Sequence, residues 1–447
     1  MLAIVAKSVI FLISIALCVT AFVPLNFVAA YSVLRPLLQP FALLQYSVFG
    51  YPISVPVTII VIFVGLVNLI IRKEWVFNIR LCVFFSGFVF IACLSTIYSV
   101  DIKSSIRALA KLLTSWVIFN MAYNSIRKSE DAGFLLKALV ASSIIPLIIG
   151  FYQVLTGDYD FLRDVRIDRL SSLFGVANAY GIFLSVIMVA TGVLLLELRN
   201  RKSRVILGFI IAAAVVSQIL ALNRGTWIAL SCAFLVAGFK YRKRVNFRWV
   251  VVLAVVITVF FSGFIVDRFS ELENNKRVIY RNTFEQRVDY WKAILPLIER
   301  KPISGYGLGT SEIVTQKYLR QSTEPHNDYV KLALEVGIIG SLFYLIFLLR
   351  IIFYFLFRPV ESRLWHFNFG ILILSTYFLI ISTTQNIIYN LVNFPAFLIL
   401  VAIGIKTNIY EQSVDGSQLP EPIVPKLVLP LWSGSTESVV SKDMEGR

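Results

Sequence analysis

Ser172-Leu-Phe-Gly-Val-Ala-Asn-Ala-Tyr-Gly-Ile-Phe-Leu-Ser-Val-Ile-Met-Val-Ala-Thr-Gly-Val-Leu-Leu-Leu196 contains no charged side chain and is followed directly by Glu197 and Arg199. About 20 apolar residues in a helix cross a hydrocarbon core of about 30 Å. A helix also closes its own backbone hydrogen bonds, which lipid cannot do. The stretch therefore reads as a membrane span. Comparable runs recur near residues 3–23, 53–71, 80–98, 105–124, 132–155, 205–222, 225–240, 249–266, 331–356, 367–384 and 387–406. The chain is thus expected to be all-α and polytopic, with about twelve transmembrane helices. The expected organisation is a transmembrane domain over 1–407, a large extracytoplasmic loop containing helices inserted at 267–330, and a disordered cytoplasmic tail over 408–447. Residues 24–52 are semi-apolar but broken by Pro24, Pro36, Pro40 and Pro52. They read as an interfacial or re-entrant hairpin, or as an additional span.

Composition agrees. The chain is 58% hydrophobic and 15% charged, against about 45–50% and 25% in soluble domains. Lys and Arg number 42 and Asp and Glu 26, giving a net charge of +16. The basic residues concentrate in alternate connections: Arg72, Lys73 and Arg80; Arg127 and Lys128; Arg199 to Arg204; Lys240 to Arg248; Arg358 and Arg363. This is the positive-inside pattern, with both termini cytoplasmic. It accounts for the basic excess without nucleic acid as a partner. Cys18, Cys82, Cys93 and Cys232 all lie within apolar runs, so neither a disulfide framework nor a zinc site is expected. Leu2–Val23, with Lys7 near its start, resembles a signal peptide but lacks a small-x-small cleavage site, and is read as a retained helix.

Other arginines fall on the side where orientation does not require them: Arg163, Arg166 and Arg169 before the span at 172, Arg224 in a tight turn, and Arg277, Arg281 and Arg287 in the large loop. Snorkelling to lipid phosphate explains any one of them singly; the set points to an anionic ligand at the membrane surface. Lys111 and Asn120, within the 105–124 span, are unusual at membrane depth.

Within the loop, Thr283–Glu299 predicts an amphipathic helix, with Phe284, Val288, Trp291, Leu295 and Ile298 on one face. Lys301-Pro302 ends it, and Gly305-Tyr-Gly307-Leu-Gly309 forms a glycine-rich turn. Glu324-Pro-His326-Asn327-Asp-Tyr329 precedes the next span. The chain has two histidines. His366 reads as a solvent-facing loop residue. His326, at the membrane surface, can take a proton from a hydroxyl. Arginine forks can neutralise a departing pyrophosphate without metal, and there is no His/Cys cluster or P-loop. No metal and no cofactor is therefore expected.

Several short motifs together resemble the O-antigen ligase and O-antigen polymerase superfamily of bacterial envelope enzymes. They are Arg169 through Gly175 to Asn178; Asn223-Arg224-Gly225; Arg287-Val-Asp-Tyr-Trp291 followed by Pro302-Ile-Ser-Gly-Tyr-Gly-Leu-Gly309; His326-Asn327-Asp-Tyr; and Glu335-Val-Gly337-Ile-Ile-Gly340. The resemblance covers about residues 100–400. Val176-Ala177 departs from the family's usual acidic/Asn-Pro pair, and the first 100 residues carry no family motif. The resemblance implies a GT-C-like, inverting glycosyl transfer enzyme of the bacterial inner membrane with its site facing the periplasm. The donor would be a glycan on undecaprenyl pyrophosphate, and the acceptor either lipid A-core or another glycan. His326, Arg287 and Arg224 would be catalytic. Arg169, Asn178, Asn327, Arg163, Arg166 and Arg281 would bind substrate. The rival class is a lipid-linked glycan transporter, but a transporter would show repeat symmetry and midplane polar residues. Here the polar residues crowd one face.

Overall fold

Apolar periodicity without internal satisfaction elsewhere leaves the chain little choice but helix. Among the described residues, the regular structure of the computed structural model is helical apart from a short antiparallel ladder pairing Ser47 with Pro52 and Val48 with Tyr51. It describes residues 13–40, 47–48, 51–52, 54–72, 81–157, 169–246, 248, 283–320, 324–360 and 362–414. The helices are α1 (Pro24–Leu34), α2 (Ser54–Arg72), α3 (Val83–Ile97), α4 (Ile102–Ser125), α5 (Ser129–Ala141), α6 (Ile144–Thr156) and α7 (Ala177–Glu197). They continue as α8 (Arg201–Leu220), α9 (Arg224–Lys240), α10 (Thr283–Arg300), α11 (Ser311–Leu319), α12 (Asp328–Leu356), α13 (Trp365–Ile381) and α14 (Asn393–Val414).

Among the described residues, five helical stretches are long and apolar enough to cross a membrane: Ser129–Thr156, Ala177–Glu197, Arg201–Leu220, Asp328–Leu356 and Asn393–Glu411. Pro24–Leu34, Val57–Ile71, Val83–Ile97 and Trp365–Ile381 are shorter apolar helices. The expected span at 249–266 lies outside the described residues, as does much of the first apolar run.

The centre of the bundle is aromatic. Phe85 of α3 stacks on Phe347 of α12 with centroids 4.7 Å apart, and Phe378 of α13 stacks on Phe397 of α14 at 4.2 Å. Such pairs add about 0.5–1.5 kcal/mol beyond their buried area. The helices also approach closely. A Cβ on Gly404 of α14 would lie 1.9 Å from Ile371 of α13, the small-residue packing that membrane helices use in place of a hydrophobic driving force.

The run at 132–155 forms as expected within the apolar stretch Ser129–Thr156, with a turn between α5 and α6 where the hydroxyls of Ser142 and Ser143 donate to Leu139 O and Val140 O. Other sequence expectations need correction. Residues 24–40 form the short helix α1 and a 3-10 turn at Pro36–Leu38, with Pro24 at the start of one and Pro36 at the start of the other. The span expected at 387–406 begins only at Asn393; Ser382 to Val392 form a buried, turn-rich connection. The helix then continues past Asn408, whose amide bonds Asn368 from within the bundle, so residues 408–414 are not a free tail. His366 is buried in the first turn of α13 rather than solvent-facing. The amphipathic helix forms as α10, but it buries Ile294, Leu297 and Ile298 against Tyr306, Val314 and Leu334. Leu295, expected inside, is 50% exposed.

Candidate active site

The site is built around an interruption of α12. Gly337 has φ 78° and ψ 171° inside the helix, a region essentially restricted to glycine. The break frees backbone groups, and the glycine-rich turn after α10 takes them up. Tyr306 N donates to Leu334 O, Gly307 N to Glu335 O, and Ile338 N to Pro302 O at 2.7 Å. The approach is as close as backbone allows: a Cβ on Gly305 would lie 2.4 Å from Glu335 O. The same turn is pinned to the start of α4, where Ser105 Oγ donates to Leu308 O and Val100 N to Tyr306 O. The Glu335 carboxylate, fully buried, accepts from Ser311 N and from Tyr389 Oη at 2.6 Å. Glu335 and Gly337 of the pattern Glu335-x-Gly337 therefore dock the loop.

The connection Ser382–Val392 is the hub. Asp328, buried at the start of α12, accepts from Ser382 Oγ and from Ile387 N, while Asp328 N donates to Ser382 O. Arg287 Nη1 of α10 donates to Thr384 O at 3.0 Å. One turn further along α10, Trp291 Nε1 donates to Pro325 O at 2.7 Å, directly beside His326. A single helix thus ties the His326 segment to the hub. Asn178 Nδ2 of α7 reaches Gln385 Oε1, and Asn386 Nδ2 bonds Glu324. On α9, a Cβ at Gly225 would meet Thr384 Oγ1 at 3.4 Å, so the first turn of α9, where Arg224 stands, abuts the hub.

The expected arginines play unequal parts. Arg169 donates to Ala221 O, Leu222 O and Asn178 Oδ1. It closes the turn before α9 and orients Asn178. Asn223 caps α9 by accepting from Thr226 N, and its amide donates to Asn178 O. Arg224, at the first position of α9, forms no ion pair or side-chain hydrogen bond among the described residues. It also benefits from a helix N-terminus, where exposed N–H groups favour an anion. Arg163, Arg166 and Arg281 lie outside the described residues.

His326 sits at φ +49°, a conformation uncommon outside glycine. Asn327 next to it accepts from Tyr329 N and Val330 N as the cap of α12, which leaves His326 projecting from the helix entrance. The imidazole is exposed, yet protein surrounds it closely. That partial desolvation lowers its pKa first, and the Arg287 guanidinium lowers it further, against an opposing pull from Glu324. The neutral base form is favoured. Glu324 behaves oppositely: burial raises its carboxyl, but Lys331 and the hydrogen bonds from Lys331 and Asn386 outweigh this and hold it below the ordinary range. Its bond to Lys331 Nζ is 2.7 Å, with the lysine side chain only 3% exposed and the glutamate 41%.

Sequence reasoning missed Glu324, Lys331, Thr384, Gln385 and Asn386. The available signal was the polar string Ser382-Thr-Thr-Gln-Asn386 between two apolar runs. Ile387 and Ile388 were absorbed into a span because they are apolar; they are buried, but in a turn. Among the described residues, His, Cys, Asp and Glu do not gather in threes suited to a metal ion.

Residues 209–345 match the family model described as O-antigen ligase. The chain is also similar to an uncharacterized protein of Haemophilus influenzae, 26% identical over 184 residues, an alignment covering 36% of this chain and 45% of that protein. The stretch matching the family model runs from α8 into the first part of α12 and includes Arg224, Arg287 and His326.

Proposed function

Taking the chain as a member of the O-antigen ligase and O-antigen polymerase superfamily, we propose that it moves a glycan from an undecaprenyl-pyrophosphate donor to an acceptor hydroxyl at the periplasmic face of the bacterial inner membrane, in ligase-like fashion. In this reading the chain crosses the membrane about twelve times with basic loops inside, and the α10–α11 loop covers the site. The observation that carries the proposal is the convergence on one connection: Arg287 bonds Thr384, Asn178 bonds Gln385, α9 with Arg224 abuts Thr384, and Glu324 beside His326 bonds Asn386.

The chemistry follows from the groups present. Neutral His326 takes the proton of the acceptor hydroxyl as its oxygen bonds the anomeric carbon. The bond from that carbon to the pyrophosphate oxygen breaks on the opposite side, so configuration inverts, and the pyrophosphate leaves with the electron pair. Arg224 and Arg287 neutralise the charge that develops on it; preorganised donors of this kind are worth about 3–4 kcal/mol each. Arg169 and Asn178 position the α9 turn rather than the leaving group. The acceptor is lipid A-core in the ligase case and another lipid-linked glycan in the polymerase case, with the same bond changes in both. In vitro transfer from purified lipid-linked donor tests the reading. His326→Ala is expected to fold normally and lose activity by at least about 100-fold; full activity would sink the base assignment. Activity lost to a chelator and restored by a divalent ion would refute the metal-free scheme.

A further inference from the structure

Lys331 of α12 is 2% exposed and stands among three carboxylates. Asp328 and Glu335 lie one turn to either side along its own helix, the spacing at which side chains meet; Glu324 precedes the helix. Among the described residues the ammonium bonds Glu324 alone, at 2.7 Å. The other two carboxylates are already taken. Asp328 accepts from Ser382 Oγ and Ile387 N. Glu335 accepts from Ser311 N and, at 2.6 Å, from the Tyr389 hydroxyl. Tyr389 also turns its ring to Lys331, with Nζ 4.9 Å from the ring centroid, a cation–π contact that strengthens where water is excluded. One side chain thus satisfies Glu335 with its hydroxyl and steadies Lys331 with its ring, which leaves the ammonium to Glu324. The other oxygen of Glu324 is held by Asn386, in the same connection as Tyr389.

From this geometry we infer that Tyr389 is a positioning residue for the base: it directs Lys331 to Glu324 and so keeps that carboxylate from pairing with His326, two residues further along the chain. The inference rests on the transfer reading above, with His326 as its base. The charged groups that face His326 are Arg287 of α10, Glu324 and Lys331 of α12. Only Glu324 favours the imidazolium, and a carboxylate tied at both oxygens favours it less than a free one. Without Tyr389, Glu335 loses its hydroxyl donor and draws Lys331 along the helix. Glu324 is then released toward His326, which holds its proton to higher pH. Because Glu335 also accepts from Ser311 N at the start of α11, the same hydroxyl ties the seating of the loop to the protonation of the base.

The full-length protein in phosphatidylcholine nanodiscs is assayed across pH for transfer from purified lipid-linked donor. The unmodified protein is compared with Tyr389→Leu, Tyr389→Phe, Glu324→Gln and the double variant Tyr389→Leu/Glu324→Gln. Tyr389→Leu is expected to move the acid limb upward by about half a pH unit, the scale of one exposed charge pair. Tyr389→Phe, which keeps the ring, is expected to move it less. The deficit in rate should narrow as pH rises above the limb. In the Glu324→Gln background, Tyr389→Leu is expected to move the limb no further. Thermal midpoints report folding; if Tyr389→Leu does not fold, the limb of Tyr389→Phe decides alone. An unmoved limb in the folded variants overturns this inference and leaves the transfer reading standing, even where the rate falls equally at every pH. An upward shift that persists in the Glu324→Gln background overturns it as well. Full activity in His326→Ala overturns the base assignment and this inference together, and no transfer by the unmodified protein at any pH overturns the transfer reading itself.

Discussion

His326 acts, in the proposed reaction, only when its imidazole is neutral. Crowding and Arg287 lower its pKa, so it stays neutral to more acidic pH than a free histidine, whose pKa is about 6.5. Transfer activity should therefore fall as pH drops through a value below the ordinary histidine range. Glu324 opposes that lowering, so Glu324→Gln should move the acid limb to still lower pH. Arg287→Gln should move it upward while also slowing transfer. A pH–rate profile measured on all three proteins checks the signs, and limbs that coincide would refute the role of His326. The Glu324–Lys331 pair makes a second prediction. Removing Glu324 takes the hydrogen-bonded carboxylate from a buried ammonium that Glu335 and Asp328 still flank, whereas removing Lys331 takes the cation from all three carboxylates, of which Asp328 and Glu335 are buried. Glu324→Ala should thus cost about 1–3 kcal/mol and Lys331→Met at least as much, as read from thermal unfolding in detergent.

At the scale of elements, the interrupted α12 and the glycine turn act as one joint. A Cβ at Gly337 would lie 2.0 Å from Ile303 O, and the backbone there costs another residue about 1–3 kcal/mol. Gly337→Ala should undock the turn, expose the chain between α10 and α11 to protease, and lower transfer through loss of α10's placement. Unchanged proteolysis would count against the joint. Helix α10 is the second lever. Its bonds from Arg287 to Thr384 and from Trp291 to Pro325 join segments far apart in sequence. Trp291→Phe keeps the ring but deletes the N–H, and should reduce kcat by loosening His326 while leaving donor binding near its original level. Equal losses of kcat and donor affinity would indicate a packing role alone.

For the whole molecule, the proposed topology puts the site loop and the basic loops on opposite sides of the membrane. Single cysteines at Lys317 in α11 and at Arg201 at the start of α8, introduced after replacing the four native cysteines, should react with an impermeant maleimide from opposite sides. Labelling of both from the same side would overturn the proposed orientation.

The sequence by itself determined the helical membrane character of this chain, the helix at 283–299, the glycine turn and the candidate residues His326, Arg224 and Arg287. These are local matters: apolar length, helical period, and glycine where φ must be positive. Only the tertiary structure decided which of them meet. Residues 387–392 read as the start of a span, and 382–384 as the end of the one before, because hydropathy registers burial, and residues buried in a turn score as those buried in a helix do. Asp328 and Glu335 accept from that turn's Ile387 N and Tyr389 hydroxyl from elsewhere in the chain, which no local window can register. Arg169 shows the same limit. Its charge and position suggested a phosphate contact, but partners more than fifty residues away hold its guanidinium on the α9 turn. Which arginine binds and which positions depends on where the fold leaves carbonyl oxygens unpaired.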